Sequence, residues 1–484
     1  MNDLINILKT KTGVSKDYKY KKITIQKETV YIIFNEVLVD PQTVNNIILR
    51  RLTLLTKKTL NNLENEIPNL NIKKITYKKN SKKDEEILNY VNNGFLIIIT
   101  NNKHYMIEVR SLIFRSVSEV SSELSIGGSK DSFNESFNVN LGLIRKRIKT
   151  EKLICEDYEY GLLTKTKIGI IYVSDITDHK LVERVKLKLS TINIDGILDS
   201  AYLKENLESK NTNFFPTIIS TERPDKACMA LLEGKIVIIV DMSPYVLILP
   251  NFFIDFFHTV DDYYQKPINI TFIRIVRLLA FIIAILVPAL YIMLTTHNYN
   301  FIELDLLLSL KAQRESVPFP ALVEALFMTL SFEILRESDI RMSSTSGSAV
   351  SILGGLILGD AAVSAGIISP IMILVIALSA ISGLAFTSIE LVSAIRWWRL
   401  IMLVLAASFG LEGIVLGTFI LFIRLLTIKS FGIHYLSPFL PLIKSELKDT
   451  FIKSENKGEK YRNPLLAPKN QKRGHFRWKK YYSY

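Results

Sequence analysis

Two cysteines in 484 residues, Cys155 and Cys228, are too few for a disulfide framework, and their spacing matches no zinc motif. The six histidines (His104, His179, His258, His297, His434, His475) stand scattered without ligand spacing, so no metal and no cofactor is expected. There is no Walker loop, no GxGxxG fingerprint and no Gly-x-Ser-x-Gly elbow, which argues against an enzyme. No Arg/aromatic module suggests a nucleic-acid partner, although the chain is basic, with net charge +13. No secretory signal is read at the N-terminus, because the first long apolar stretch begins after residue 277.

Charge itself is scarce in one region. Residues 278–442 hold 18 charged side chains in 165 positions, with net charge −2, while residues 1–277 and 443–484 carry +7 and +8. A domain surrounded by water does not have that composition. Twenty-five uncharged residues follow Arg277, 18 lie between Arg341 and Asp360, and 29 lie between Asp360 and Glu390. About 20 helical residues cross a ~30 Å hydrocarbon core, so each long run is a candidate span. Leu400 to Ile423, interrupted by Glu412, and Val317 to Leu335, with Glu324 and Glu333, complete a count of about five. Lys266, Arg274 and Arg277 before the first span place the N-terminal region in the cytoplasm, with anionic membrane lipids as neighbours of the basic flanks. Five crossings would leave the basic tail outside, against the same rule. Either Phe301–Leu310 or Phe431–Leu442 dips into the membrane, or one candidate does not cross.

Residues 1–277 alternate short β-rich runs with helical patterns, giving an α/β soluble N-terminal region followed by an all-α multi-pass membrane domain. One pattern occurs twice. A short helical run ends at Gly94 and at Gly234, each is followed by an apolar run, and Tyr105 and Tyr245 each lie 11 positions after the glycine. A helix stopped by glycine and followed by a hairpin accounts for both. The division expected is a subdomain over 1–130 with a variable N-terminus, a second over 131–270, a transmembrane domain over 271–442, and a basic, disordered tail over 443–484.

Several motifs then occur in a fixed order. Thr221-Glu222-Arg223-Pro224-Asp225 is followed by LLEGKIVIIVD ending at Asp241, by Ser243-Pro244, and by Asp261-Asp262-Tyr263-Tyr264. Arg314-Glu315-Ser316-Val317-Pro318-Phe319-Pro320 precedes Glu324-Ala325, and Phe332-Glu333-Ile334-Leu335-Arg336-Glu337 follows. Together with Leu143 to Arg147, Gly359 to Pro370 and Ser430-Phe431-Gly432, these make residues 115–442 resemble the A subunits of GerA-family spore germinant receptors. The resemblance implies a multi-pass protein of the spore inner membrane, working beside a transporter-like B subunit and a lipoprotein C subunit. It also implies a homo-oligomer that forms a gated cation channel and triggers germination. Asp360 and Glu412 depart from the family pattern, standing where Gln and Tyr are usual.

Those departures carry chemistry. A carboxylate at mid-membrane depth costs about 2.5–3.5 kcal/mol by insertion scales, so Asp360 should face water, a cation or a base. Repeated around an axis it becomes a ring of acids that attracts cations. Asp360, Leu356 and Val363 share one helical stripe and, with Ser351, are expected near the conduction path; Asp360 paired with Arg341 or Arg399 is the structural alternative. Glu324 and Glu412 lack a local partner and join the candidates, whereas Glu333 can neutralise itself on Arg336. Thr221 is expected to cap a helix begun by Pro224, with Asp225 on its dipole. Asp261, Asp262, Tyr263 and Tyr264, with Arg274 and Arg277, form a charged collar at the membrane entry, either coupling or simple anchor. A secondary transporter would need a second broken helix matching the Gly-rich span around Gly354 and Gly359, and a scaffold would need only packing surface.

Overall fold

Alternating burial builds the first sheet. In β2 (Glu28–Asn35), Val30, Ile32 and Phe34 face one apolar cluster with Leu96 and Ile98, while Ile33 faces another with Ile97 and Ile99. Both faces are covered, which is why the run after Gly94 is apolar without alternation. The computed structural model describes residues 2–25, 28–47, 52, 72–75, 81–100, 104–111, 123, 127–208, 213–341, 355, 359–443, 447–453 and 461–473.

Strands β1 (Tyr18–Ile25), β2, β3 (Ile72–Ile75), β4 (Phe95–Ile99) and β5 (His104–Glu108) pair antiparallel in the order β1-β2-β4-β5-β3. Helices α1 (Asn2–Thr12) and α2 (Ser81–Val91) pack on one face through Leu4, Leu8, Ile87 and Leu88. The second sheet repeats that plan. β6 (Leu153–Tyr160), β7 (Thr166–Val173), β8 (Ile219–Thr221), β9 (Ile236–Val240) and β10 (Val246–Leu249) pair in the order β6-β7-β9-β10-β8. The two sheets therefore share one strand order. Its helices are α3 (Phe137–Arg147), α4 (His179–Ser190), α5 (Ser200–Leu207) and α6 (Pro224–Glu233). Gly234 ends α6 at φ 96°, a left-handed position that Gly fills without a Cβ clash.

Arg145 of α3 locks the two units. Its Nε and Nη2 donate to Asp17 at 2.7 and 3.0 Å, and Ser15 Oγ donates to Asp17 while accepting the Cys155 N–H. Both Arg145 and Asp17 are buried, so neither charge is tolerable without the other.

Beyond Tyr264 the chain becomes helical: α7 (Pro267–Thr296), α8 (Leu304–Arg314), α9 (Ala321–Arg341), α10 (Pro370–Gly383) and α11 (Ile389–Thr427). Only α7 and α11 are long and apolar enough to cross a membrane by length and composition, among the described residues. Three sequence expectations need correction. The uncharged stretch from Asp360 to Glu390 is not one helix, because Gly366 at φ 62° and Pro370 break it before α10. The expected span from Val317 begins only at Ala321, since Pro318 and Pro320 cannot donate backbone hydrogen bonds. The run from Leu400 to Ile423 is not a single rod either. Gly410 has φ 58° and ψ −131°. A Cβ at Gly413 would lie 2.0 Å from Leu405 O, and one at Gly417 2.5 Å from Met402 Sδ, so α11 folds back into a tight hairpin. Its arms, 389–409 and 411–427, pack where the glycines remove side-chain bulk.

Contacts give each helix its direction. Arg274 and Phe281 of α7 lie beside the sheets, and His297 meets Ala407 at the far end. Glu324 of α9 meets Ser369 at the far end, and Glu333 meets Arg399 nearer the sheets, so α9 runs back. α10 returns likewise, from Ser369 to Ser379, whose Oγ donates to Ala284 O. The second arm of α11 ends beside the sheets, where Ser430 Oγ donates to Thr217 O and Arg184 donates to Phe431 O. The tail expected to be disordered is packed in its described parts. Asp178 N–H donates to Leu466 O, and Arg462 donates to Leu232 O. It lies on the sheet side of the bundle.

Candidate functional site: the junction of sheets and helices

The Thr-Glu-Arg-Pro-Asp motif grips the connection between the two sheet units. Thr221 Oγ1 donates to Glu123 at 2.6 Å, Glu222 accepts the Glu123 N–H at 2.9 Å, and Glu222 O accepts the Phe133 N–H at 2.8 Å. Arg223, buried, donates to Glu123 O and Ser129 O while held bidentately by Asp225 at 3.1 and 2.7 Å. The expected cap is corrected: Arg223 occupies the N-cap position, and Thr221 Oγ1 accepts the Arg223 N–H instead. Pro224 is the first helical residue and Asp225 lies in the first turn. Tyr264 closes the group, its hydroxyl donating to Asp225 at 3.1 Å; burial and Asp225 push the phenol to about 12. Asp241 accepts the Phe137 N–H at 3.1 Å, fixing the start of α3 to the end of β9.

The collar before α7 is a buried ion network. Asp262 is fully buried and receives Arg274 Nε at 3.1 Å and Arg277 Nη1 at 2.9 Å, and it also accepts from Thr259. Burial alone would raise its carboxyl, but the Arg277 and Arg274 guanidiniums hold it below the usual carboxylate range. Arg274 continues to the tail, donating to Asp449 Oδ1 at 3.0 Å and to Thr450 O at 3.1 Å. Asp261 accepts the Gly127 N–H, and Lys453 Nζ sits 3.9 Å over the Tyr263 ring. One set of contacts thus joins inter-unit linker, first long apolar helix and tail.

Inside the bundle the acids differ sharply. Glu333 meets Arg396 at 2.9 Å and Arg399 at 3.2 Å, closer than the 3.9 Å to Arg336 that helical spacing suggested. A small cavity lies beside these groups. Glu324, which lacks a local partner in sequence, is 1% exposed and fully engaged by residues of other segments: Arg314 at 3.3 Å and the Ser369 N–H and hydroxyl at 3.0 Å. Pro318 and Pro320 are exposed in the turn before α9, and Pro320 O accepts the Glu324 N–H. Asp360 is exposed, on the helical stretch 359–364, and has no ion pair among the described residues. The pairing with Arg399 considered from sequence is absent, because Arg399 is spent on Glu333. Val363 is half-buried, and Glu412 is exposed two positions past the hairpin turn. Ser351 and Leu356 lie outside the described residues.

Sequence reasoning missed Glu123, Arg314, Ser369, Arg396, Asp449 and the ion pair of Lys204 with Glu390, 2.6 Å, which ties α5 to the first turn of α11. Partners 175 positions apart leave no periodic signal. The Arg314 to Glu324 pair was within reach, since both residues sit in motifs already singled out.

The family described as Bacillus/Clostridium GerA spore germination protein matches residues 6–465. Spore germination protein KA of Bacillus subtilis (strain 168) is 42% identical over 339 residues, 70% of this chain and 62% of its own length. Spore germination protein GerQA of Bacillus cereus is 32% identical over 478 residues, 98% of this chain and 93% of its own. Among solved structures, the N-terminal domain of the A subunit of the Bacillus megaterium spore germinant receptor GerK3 is 29% identical. It covers 51% of this chain and 94% of that domain, at a TM-score of 0.39.

Proposed function

As this chain belongs to the GerA family of spore germination proteins, we propose that it is the A subunit of a nutrient-germinant receptor in the spore inner membrane. Several copies assemble around an axis into a gated cation channel, beside the transporter-like B subunit and lipoprotein C subunit that the resemblance implies. The observation that carries this is Asp360, an exposed carboxylate with no ion pair among the described residues, on an apolar helical bundle and flanked by exposed Ala361 and Ser364. Facing hydrocarbon, such a group costs about 2.5–3.5 kcal/mol. Facing copies of itself around a wet axis, it attracts cations. The interior of one bundle is a poorer route, because Glu333 stands among Arg336, Arg396 and Arg399 and the excess positive charge repels cations. Val363 beside Asp360 would form an apolar constriction, with Leu356 and Ser351 on the same pathway and Glu412 as an acid near its far mouth.

Multi-pass insertion with both sheet units in the cytoplasm is the matching topology. The return of the tail to the sheet side supports an even number of crossings, and the α11 hairpin supplies two of them where one was expected. Lys266, Arg274, Arg277, Arg336, Arg396, Arg399, Arg424 and Lys429 stand toward the sheets, and Lys311 and Arg314 toward the far end, as the positive-inside tendency requires. The units over 1–130 and 131–270 then transmit movement to α7 through the Asp262 collar.

Reconstituted oligomers should pass K⁺ or Na⁺, and Asp360→Asn should reduce cation over anion selectivity. A closed bilayer with the intact oligomer, or currents indifferent to Asp360→Asn, overturns the channel reading.

A further inference from the structure

An open cavity of about 150 Å³ lies between the second sheet unit and the α11 hairpin. That is smaller than the ~300–1,000 Å³ usual for clefts that enclose a whole ligand, so an occupant lies partly outside it. Phe214 and Phe215 wall it from the sheet side, Trp398 and Ile401 from the first arm, and Ile420 and Arg424 from the second. Two unsatisfied donors distinguish it. Arg424 is exposed and makes no ion pair or side-chain hydrogen bond among the described residues, whereas Arg277, Arg314, Arg336, Arg396 and Arg399 each hold a carboxylate. Trp398 is 3% exposed, yet its indole N–H has no acceptor among the described residues. A buried donor left unpaired costs about 1–3 kcal/mol, so an acceptor here is worth binding. The rest of the wall is apolar apart from Asn213.

The position narrows the ligand. The cavity opens at the sheet-side end of an apolar hairpin, beside Phe214 stacked on Trp397 with ring centroids 5.7 Å apart, both rings exposed. Exposed aromatic rings at that level mark a membrane–water boundary. We propose that this cavity is a binding site for one anionic glycerophospholipid of the sheet-side leaflet. Its phosphate rests on Arg424, an acceptor oxygen of its head or ester region takes the Trp398 N–H, and one acyl chain lies against Ile401 and Ile420. The occupant touches the loop over 213–215 and both arms at once, so it wedges the sheet unit against the hairpin. This inference rests on the membrane reading above.

The test uses the full chain carrying Trp478→Phe, so that Trp397 and Trp398 are the fluorophores, in phosphatidylcholine nanodiscs. Brominated phosphatidylglycerol at low mole fraction should quench more strongly than brominated phosphatidylcholine at the same fraction. Arg424→Gln should weaken that excess by about tenfold, the size of one lost charge-assisted contact. Ile420→Trp is avoided as a new fluorophore; Ile420→Phe, which fills the groove, should abolish the excess while leaving Arg424 in place. Equal quenching by the two lipids, or an excess indifferent to both variants, overturns the proposal and leaves membrane insertion standing. Displacement by millimolar inorganic phosphate overturns it in favour of a free-anion site. If neither lipid quenches and the chain is released from membranes by salt, the membrane reading fails first.

Discussion

Arg274, at the start of the third turn of the first long apolar helix, donates to Asp449 at 3.0 Å across 175 positions of sequence. The same guanidinium holds Asp262, so a helix of the bundle, the collar before it and the tail after it share one buried network. Removing Asp262 takes from Arg274 and Arg277 the buried carboxylate that they share.

The collar should be acid-sensitive in a defined window. Asp262 is held below its ordinary value of 3.8, so the unfolded chain takes up the proton first. Its contribution is complete above that value and fades as pH falls through the lower folded one. His258, whose ring bonds to Thr450 O, is pushed below its ordinary 6.5 by burial and by Arg274, so stability begins to decline from about there downward. Thermal unfolding of the detergent-solubilised chain across this range should show both phases, and Asp262→Asn should remove the lower one. A flat profile below pH 6 contradicts the network.

Glu333→Gln should cost about 3–5 kcal/mol, because three guanidiniums lose the carboxylate that they share. Arg396→Gln in the same chain should recover part of the loss. Absence of rescue in a double-mutant unfolding cycle would mean that the arginines are solvated independently.

Gly410→Ala should open or misfold the hairpin. The backbone there has φ 58°, and a Cβ would lie 2.7 Å from Asn298 Oδ1 and 2.8 Å from His297 Cβ. Strain of this kind costs about 1–3 kcal/mol. Gly417→Leu should separate the arms as well, since its Cβ would meet Met402 at 2.5 Å. Cross-linking between cysteines placed at Ile401 and Arg424 reads the outcome directly. Undiminished cross-linking in both variants would refute the packing.

Arg223→Ala should free the linker without unfolding either sheet, because its donors reach Glu123 O and Ser129 O. Limited proteolysis between 123 and 133 should rise several-fold, with a loss of about 1.5–3 kcal/mol from the charged hydrogen bonds. Unchanged cleavage there would show that Thr221 and Glu222 suffice.

Asp360 and Glu324 should separate cleanly. Asp360→Asn touches an exposed group with no ion pair among the described residues and should leave the stability within the usual surface range, about ±0.5 kcal/mol. Glu324→Gln breaks a buried set of three contacts and should destabilise by about 3 kcal/mol or more. Equal effects would place the two acids in similar surroundings.

Much of this was legible in local order. The apolar run after Gly94 and its counterpart after Gly234 announced two hairpins, because glycine stops a helix and uninterrupted β-branched residues need both faces covered. The charge-poor third announced a helical bundle, and the ordered motifs from Thr221 to Gly432 announced the family. Pro224 and Asp225 stood where helix termini want them. These properties are set by residues within a few positions of one another, so the chain alone decides them. What it did not decide was where helices stop inside an apolar run and which acid meets which base. Gly410 reverses α11 because Gly413 and Gly417 let the arms touch, and no count of hydrophobic residues records that contact. Glu324 looked partnerless until Arg314 and Ser369 came round the far end of the bundle, and Asp262 had two neighbours in sequence but a third partner through Arg274 in the tail. Pairing energies fall off within a few ångströms in a low-dielectric interior, so only the tertiary fold, which sets those distances, chooses the partners.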